Sequence, residues 1–125
     1  MAVVVQKMVQ VSEHEAAGVA VSIDPVRGAL DHVLFNAAFG LGETVVGGEE
    51  PVDEFRLQRG DLAEVEAVIA EKMHALVTDA AHATRHVALN AGQASSPALN
   101  SEQRRAVAQL ALAAEQHFGF PQEIE

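Results

Sequence analysis

The chain ends on two glutamates, Glu123 and Glu125, which are separated by Ile124. Successive side chains of a β-strand point to opposite faces, so a strand here would place both carboxylates on one face and turn Ile124 into the core. Two carboxylates on one face suit Mg²⁺, which binds a few hard oxygen ligands together with nucleotide phosphate oxygens. Taken alone, an acidic pair at a chain end is more typical of a solvated tail than of a metal site. The preceding segment must therefore decide between the two interpretations.

A glycine-rich stretch over residues 40–48 is a second place where chemistry could occur. It is not a P-loop, because no Gly-Lys-Ser/Thr follows, and its glycines have the wrong spacing for a dinucleotide-binding turn. Gly40 and Gly42 would let the backbone approach phosphates closely, and Glu43 could face a metal ion. A turn into a short helix over residues 43–46 explains the same residues at least as well.

Three histidines raise the question of a zinc site. His82 and His86 are four residues apart and His74 precedes them, so a helix could place two of them on one face. No acidic residue or third histidine stands at a persuasive ligand spacing, which favours surface histidines. The chain has no cysteine and no Gly-x-Ser-x-Gly motif, so nothing predicts a nucleophile.

The charge balance restricts the partners. The 125 residues carry a formal net charge of −10, with eight Lys and Arg residues spread over the whole length. This argues against a nucleic-acid partner, which requires a clustered basic face, whereas one nucleotide needs only a few local donors and a metal ion. No segment approaches the ~20 uninterrupted apolar residues that a membrane span needs. We expect one domain, or part of one, in the cytoplasm.

Strands are predicted for much of the first half of the sequence. Apolar β-branched or alternating runs, separated by turn residues, occur at residues 2–9, 17–23, 33–38 and 53–59. Residues 61–77 fit both a helical stripe and a strand. Residues 91–98 are small and polar, which is typical of a loop.

The clearest element is a helix over residues 101–118. Asn100 or Ser101 can cap its start, and Gly119 followed by Pro121 ends it. Apolar side chains recur at steps of three and four residues and predict one buried face, formed by Val107, Leu110, Ala111, Ala114 and Phe118. Together these elements predict a single α+β unit.

Four segments, in this order, resemble a known family. They are MAVVVQKMV (1–9), AAGVAVSIDPVRG (16–28), AAFGLGETVVGGEEPVDEF (37–55) and EQHFGFPQEIE (115–125). The chain resembles the C-terminal part of the ATP-grasp domain of the phosphoenolpyruvate synthase (pyruvate, water dikinase) family, a module that rifampicin phosphotransferases and pyruvate, phosphate dikinases share. The resemblance is weakest over residues 60–98. It implies an ATP-grasp subdomain with a mostly antiparallel sheet and packed helices, and it favours a strand over residues 61–72.

The resemblance also implies roles for individual residues, with ATP and Mg²⁺ as cofactors. The residues implied to bind adenine through a hinge-like strand are Gln6, Lys7, Met8 and Val9. Gly40, Gly42 and Glu43 are placed near the triphosphate, with Glu43 a secondary candidate for the metal. Glu125 is the implied metal ligand, whereas Glu123 stands where the family has Asp.

In this family, ATP is cleaved with Mg²⁺ and phosphate passes through a histidine on a mobile domain to pyruvate. The resemblance implies that this chain lacks the other ATP-grasp half, which supplies a Lys and an Arg, and the phosphohistidine domain, so we expect it to be inactive alone. An antibiotic kinase module and a non-catalytic interaction module are the alternatives. We also expect an exposed apolar face, formed by residues such as Val3, Val5 and Phe39, to favour self-association.

Overall fold

A computed structural model of the chain describes all residues except Arg27, Ala29, Glu49 and His82. The strands are β1 (Ala16–Val21), β2 (His32–Phe39), β3 (Asp53–Gln58), β4 (Glu64–Val68), β5 (His74–Thr78), β6 (Thr84–Ala88) and β7 (Glu123–Ile124). The helices are α1 (Glu43–Gly47), α2 (Ala91–Ala94) and α3 (Ser101–Phe118). The predicted α+β class is confirmed.

Five strands form one antiparallel sheet in the order β4-β3-β2-β1-β7. Strands β5 and β6 form a separate antiparallel hairpin. A parallel bridge between Gly40 and Leu76 connects this hairpin to the end of β2. The last strand in sequence therefore pairs with the first one and lies at an edge of the sheet.

Helix α3 covers one face of the sheet, which we call the inner face. It begins with a capping box, in which the Asn100 side chain accepts from the Gln103 N–H and the Gln103 side chain accepts from the Asn100 N–H. It ends at Gly119, which has a left-handed backbone. The helix prediction is confirmed, but its buried face is wrong in part: Ala108 and Ala111 are buried, whereas Leu110 and Phe118 are exposed.

Small residues on the helix explain this difference. Ala108 and Ala111 let α3 approach the sheet closely, so the larger side chains of the core come from the strands. Those strand residues alternate along β2 and β3 and include Val33, Phe35, Phe55 and Leu57. The rings of Phe35 and Phe55 lie 5.2 Å apart, within the range of favourable aromatic pairs.

The opposite face of the sheet, which we call the outer face, is only partly covered. The strand registers align one row of side chains across all five strands, Glu123–Val21–Leu34–Arg56–Glu66. Residues of a second row lie beside it on β1 to β4, namely Val19, Asn36, Glu54 and Val68. Unlike the inner residues, these side chains are half-buried or exposed, so the sheet offers one face to a partner or ligand.

A buried ion pair connects the sheet to the segments that flank β5 and α3. The Lys72 ammonium donates to the Asp53 carboxylate at 2.5 Å, and both side chains are inaccessible to solvent. Asp53 also accepts from the backbone N–H groups of Ala70 and Ala98, at 2.9 and 2.7 Å. Each charge is therefore paired and hydrogen-bonded, as a buried charge must be.

Two of the predicted local structures are wrong. Residues 2–9 form no strand, although the strands over 17–23, 33–38 and 53–59 are confirmed. The strand favoured over residues 61–72 is confirmed by β4. A strand needs a neighbour for its N–H and C=O groups, and among the described residues no strand pairs with residues 1–10. Residues 91–98 are not entirely loop, because the Asn90 side chain caps the short helix α2.

The expected exposed apolar face is confirmed only for the start of the chain. Val3 and Val5 are 75% and 91% exposed. Phe39 is instead buried, with its ring 5.7 Å from the Lys72 ammonium. Phe39 belongs to the inner face because it follows Phe35 and Ala37 at steps of two along β2.

Gly18 offers a direct test of the β1–β2 packing. A Cβ atom added there would lie 1.9 Å from the backbone oxygen of Asn36, so Gly18→Ala must separate the two strands. We expect a loss of roughly 3 kcal/mol in the free energy of unfolding, the upper end of overpacking costs. At Gly60 an added Cβ meets nothing within 4 Å, so Gly60→Ala is the control. Equal urea midpoints for the two variants would contradict this packing.

Candidate functional site

A short strand is present near residue 123: β7 contains Glu123 and Ile124 and is followed by Glu125. Glu123 pairs with Val21 and Ile124 with Ala20. Ile124 is partly buried and packs against the core, whereas Glu123 and Glu125 are exposed. Continuing the register by one residue places Glu125 beside Val19, in the second row of the outer face. Side-chain alternation therefore directs both glutamates to the outer face.

The glycine-rich stretch turns from the end of β2 into α1, so the short-helix interpretation is confirmed. Gly40 has φ 85°, and a Cβ there would lie 2.3 Å from the Leu76 carbonyl oxygen, so only glycine fits. That carbonyl accepts from the Leu41 N–H at 2.7 Å. A Cβ on Gly42 would be 3.6 Å from the Ala17 Cβ, in ordinary contact.

This contact places α1 on the outer face. Ala17 pairs with Ala38, and both belong to the row next to the one that contains Val19. Glu43 is the first residue of α1 and is exposed. Glu43, Glu123 and Glu125 therefore lie on the same side of the sheet, with Glu125 nearer than Glu123 to the row that α1 covers.

Among the described residues of the outer face, acidic side chains surround Arg56. Glu54 and Glu66 add two carboxylates to the pair on β7. Arg56 contacts Glu66 at 3.2 Å and the buried Asp24 at 3.7 Å, so its charge is already shared between carboxylates. A bare triphosphate would be repelled by this face. A divalent cation would be attracted to it, and two exposed carboxylates fit Mg²⁺, which needs only one or two beside phosphate oxygens.

Arg56 was not predicted as a site residue from the sequence. Its signal was the alternation of β3, in which Glu54, Arg56 and Gln58 alternate with the buried Asp53, Phe55 and Leu57. That pattern predicts a solvated face but gives no reason to distinguish one arginine. Only the strand register shows that Arg56 shares a row with Glu123.

A group of four residues connects β7 to the end of β1 and to α3, and we call it the β7 anchor: Ser22, Arg59, Glu115 and Gln122. Arg59 donates to both carboxylate oxygens of Glu115 and, at 2.6 Å, to the Ser22 carbonyl. A hydrogen bond from Arg59, and to a smaller extent one from the Ser22 side chain, holds the pKa of Glu115 below its usual value. The ionised Glu115 carboxylate therefore stabilises the folded chain at a pH above the pKa that this group has in the unfolded chain. The contribution is lost as the pH falls through the lower pKa that it has in the folded chain.

Residues 6–9 are exposed and belong to none of the described strands. Val11 attaches this segment to β5, because the Val11 N–H donates to the Thr78 hydroxyl at 3.1 Å and the Val11 carbonyl accepts from the Thr78 N–H at 3.2 Å. The same edge of β5 receives Leu41 at Leu76. The attachment point of this segment on β5, Thr78, is therefore two residues from Leu76, the attachment point of the glycine turn.

A cavity of about 810 Å³ lies elsewhere, between the turn before β1 and the segment that leads into α3. Phe39, Gln93 and Asn100 are among its lining residues, and none of the predicted site residues lines it. The cavity and the predicted site are therefore formed by different residues. The outer face is the candidate site because it gathers the carboxylates, whereas Asn100 of the cavity is already used in capping α3.

The zinc hypothesis receives no support from the structure. The described residues contain no group of three or more His, Asp or Glu side chains that could hold a metal ion. His74 contacts Glu50 at 3.1 Å, and His82 lies outside the described residues. An ion at β7 would therefore need ligands beyond protein carboxylates, and nucleotide phosphates supply such oxygens.

Comparison with known families decides what kind of domain this is. The family model described as the pyruvate phosphate dikinase AMP/ATP-binding domain matches residues 1–125. This chain belongs to that family. The match places the chain in the N-terminal nucleotide-binding domain of the dikinase family. It does not support the C-terminal part of the ATP-grasp domain, which the motifs had suggested.

Individual relatives agree with this family. The chain is 36% identical over 126 residues to the rifampicin phosphotransferase of Streptomyces sviceus, and this match covers 100% of the chain and 14% of the relative. It is 32% identical over 131 residues to the phosphoenolpyruvate synthase of Pyrococcus furiosus, covering 100% of the chain and 16% of the relative. The chain thus spans less than a fifth of either protein. No helix in the described part of the chain has the length and apolar character to cross a membrane.

Proposed function

We propose that this chain forms one wall of an ATP-grasp nucleotide site and contributes the metal-binding side of it to an ATP-dependent phosphotransferase. The observation that carries the proposal is the strand register, which brings Glu123, Glu125 and the α1 segment to one partly open face. Membership in an AMP/ATP-binding family supports a nucleotide as the ligand. In this proposal Mg²⁺ neutralises charge on the triphosphate when it is bound.

Each residue of the site has a distinct part in this proposal. Glu125 is the principal metal ligand, because it lies nearer the row that α1 covers, and Glu123 and Glu43 are secondary. The carboxylates of the outer face exclude a triphosphate that lacks its metal ion. Gly40 and Gly42 bring the backbone close to the phosphates. These residues bind and orient the nucleotide, and none of them contacts the phosphoryl acceptor.

We further propose that residues 6–9 contact adenine. An extended backbone offers a C=O and an N–H side by side, which match the adenine N6 donor and N1 acceptor, while the side chains of Met8 and Val9 flank the ring. The segment is exposed and therefore accessible for this role, and Val11, just after it, is attached to β5, the strand that also bonds to Leu41 of the glycine turn. Pairing with a nucleotide or with the other half of the site would give this β-branched run the partner that it lacks here.

For the whole reaction, we propose a phosphoenolpyruvate synthase type of dikinase in the cytoplasm, with transfer through a histidine of another domain. A rifampicin phosphotransferase is the second candidate, since a relative of that name is 36% identical to the chain. Both need the same ATP-binding face. The acceptor therefore does not affect the roles proposed for this chain.

The proposal is tested by titrating the isotope-labelled chain with Mg–ATP and following its backbone amide resonances. We expect weak binding, with a dissociation constant of about 1 mM or higher, because the chain provides few cationic donors. In the complete site, the other ATP-grasp half would supply a Lys and an Arg. Without their two charge-assisted contacts, at roughly 1.5–3 kcal/mol each, binding weakens about a hundredfold or more. Shifts should occur at residues 6–9, around α1 and in β7. Shifts confined to the lining of the 810 Å³ cavity would refute the assignment.

A further inference from the structure

Strand β7 and the residue that follows it carry the two proposed metal carboxylates, yet β7 is the shortest strand of the sheet and lies at its edge. It contains two residues, and its described partner is β1, at Ala20 and Val21. Ile124 is its partly buried apolar side chain. So short an edge strand frays easily unless other contacts fix it. The position of Glu123 and Glu125 therefore depends on what holds the residues just before them.

Ser22 fixes the start of β7 from the end of β1. This residue is fully buried, and its N–H donates to the Gln122 carbonyl at 2.9 Å. Its hydroxyl accepts from the Gln122 N–H at 2.8 Å. Gln122 thus has both backbone groups bonded to one residue, immediately before the first carboxylate.

Arg59 fixes Ser22 and the end of α3 together. Its guanidinium donates to the Ser22 carbonyl at 2.6 Å and forms a two-point contact with the Glu115 carboxylate. Arg59 follows β3, and its own N–H donates to the Asp31 carbonyl at 2.9 Å, so the base of its side chain is also fixed. Glu115 lies one turn before Gly119, where the chain leaves α3 for β7. A two-point contact between arginine and carboxylate fixes orientation as well as distance.

We propose that Arg59 is a positioning residue for the metal carboxylates of β7. Through Ser22 and Glu115 it sets both ends of the connection between α3 and β7, and thereby the register that directs Glu123 and Glu125 to the outer face. This inference rests on the proposed function, because it assumes that those carboxylates bind a metal ion. Arg59 itself lies beyond β3 and is not proposed to contact the metal or the nucleotide.

The test compares Arg59→Ala, Arg59→Lys and Glu115→Gln with the unchanged chain, using two readouts. Hydrogen exchange of the Ser22, Gln122 and Ile124 amides measures whether β7 is held. Line broadening by Mn²⁺, which substitutes for Mg²⁺ and broadens nearby resonances, measures metal binding at residues 123–125. Arg105→Ala is the matched control, because Arg105 is exposed and makes one hydrogen bond of 3.3 Å to the Asp61 carbonyl.

We expect Arg59→Ala to speed exchange of the β7 amides by at least about tenfold, while core amides such as those of Val33 and Val77 stay protected. Broadening by Mn²⁺ at residues 123–125 should fall in parallel. Arg59→Lys should recover part of both effects, since it keeps the charge but not the two-point contact. If Arg59→Ala does not fold, Glu115→Gln gives the same comparison with a smaller change of shape.

Two results would overturn the inference. The first is unchanged β7 exchange in Arg59→Ala and Glu115→Gln, which would show that the β7 anchor does not hold the strand. The second is faster exchange with undiminished Mn²⁺ broadening, which would show that the metal ligands do not need this positioning. Failure of the proposed function is seen separately, in the unchanged chain: if Mn²⁺ broadens none of residues 123–125 there, the metal role is wrong and the positioning role falls with it.

Discussion

Glu125→Gln should reduce turnover about a hundredfold or more in a phosphoenolpyruvate synthase in which this chain replaces the matching segment. The substitution keeps the shape of the side chain but removes the charge proposed to hold Mg²⁺ against the phosphates. Metal-centred stabilisation contributes several kcal/mol to the transition state, so its loss should affect kcat more than nucleotide binding. Glu123→Gln should have a smaller effect, because Glu123 lies one row farther from the row that α1 covers.

Steady-state kinetics against Mg²⁺ concentration measures both effects, provided that the unsubstituted hybrid enzyme is active. Glu54→Gln is the control, because Glu54 is an exposed glutamate of the outer face on β3, away from β7. If the acidity of the whole face mattered rather than the position of Glu125, Glu54→Gln would lose as much activity. Negligible effects at both β7 positions would instead support a solvated acidic tail.

Lys72→Met should have the largest effect on stability, with a loss of about 3–5 kcal/mol in the free energy of unfolding. The substitution keeps the apolar stem but removes the ammonium, so the fully buried Asp53 carboxylate loses its charged partner. Its two backbone donors, Ala70 and Ala98, cannot replace that charge. Urea denaturation measures the change, and Lys7→Met, at an exposed lysine, is the control and should be close to neutral.

The double variant Lys72→Met, Asp53→Asn separates the pair from its parts. Removing both charges leaves no unpaired buried ion, so the double variant should recover a substantial part of the stability lost in Lys72→Met. Additive losses would mean that the two residues act independently. That outcome would contradict the ion pair as a unit.

Local patterns predicted most of the helices and strands, because the residues that begin, end and orient these elements lie within or beside them in the sequence. The capping box at Asn100 and the left-handed Gly119 set the limits of α3, and alternation predicted β1 to β3. Residues 2–9 have the same β-branched character, but strand formation depends on a pairing partner that local sequence does not specify. Lys72 was likewise missed, because a lysine between strands gives no sign that the fold will bury it beside Asp53.

The candidate site was predictable only in part, for a related reason. Glu43 and Glu125 were predicted from separate motifs, and the strand alternation that orients β7 is a local property. Their presence on one face depends on the registers of β7 with β1 and of β1 with β2. The contact of Arg56 with Asp24 joins residues that are 32 positions apart, and the contact of Gln122 with Ser22 in the β7 anchor joins residues that are 100 positions apart. No window of sequence contains both partners.

The most direct test of the central claim is whether nucleotide binding at the outer face depends on the metal ion. Backbone amide shifts of the labelled chain should be recorded with ATP in excess Mg²⁺ and with ATP in the presence of a chelator. We expect Mg–ATP to shift β7 and the residues around α1, and ATP without metal to leave them unchanged, because the face is acidic and Arg56 is already paired. Equal shifts at β7 with and without Mg²⁺, or shifts only on the α3 side of the sheet, would contradict the account.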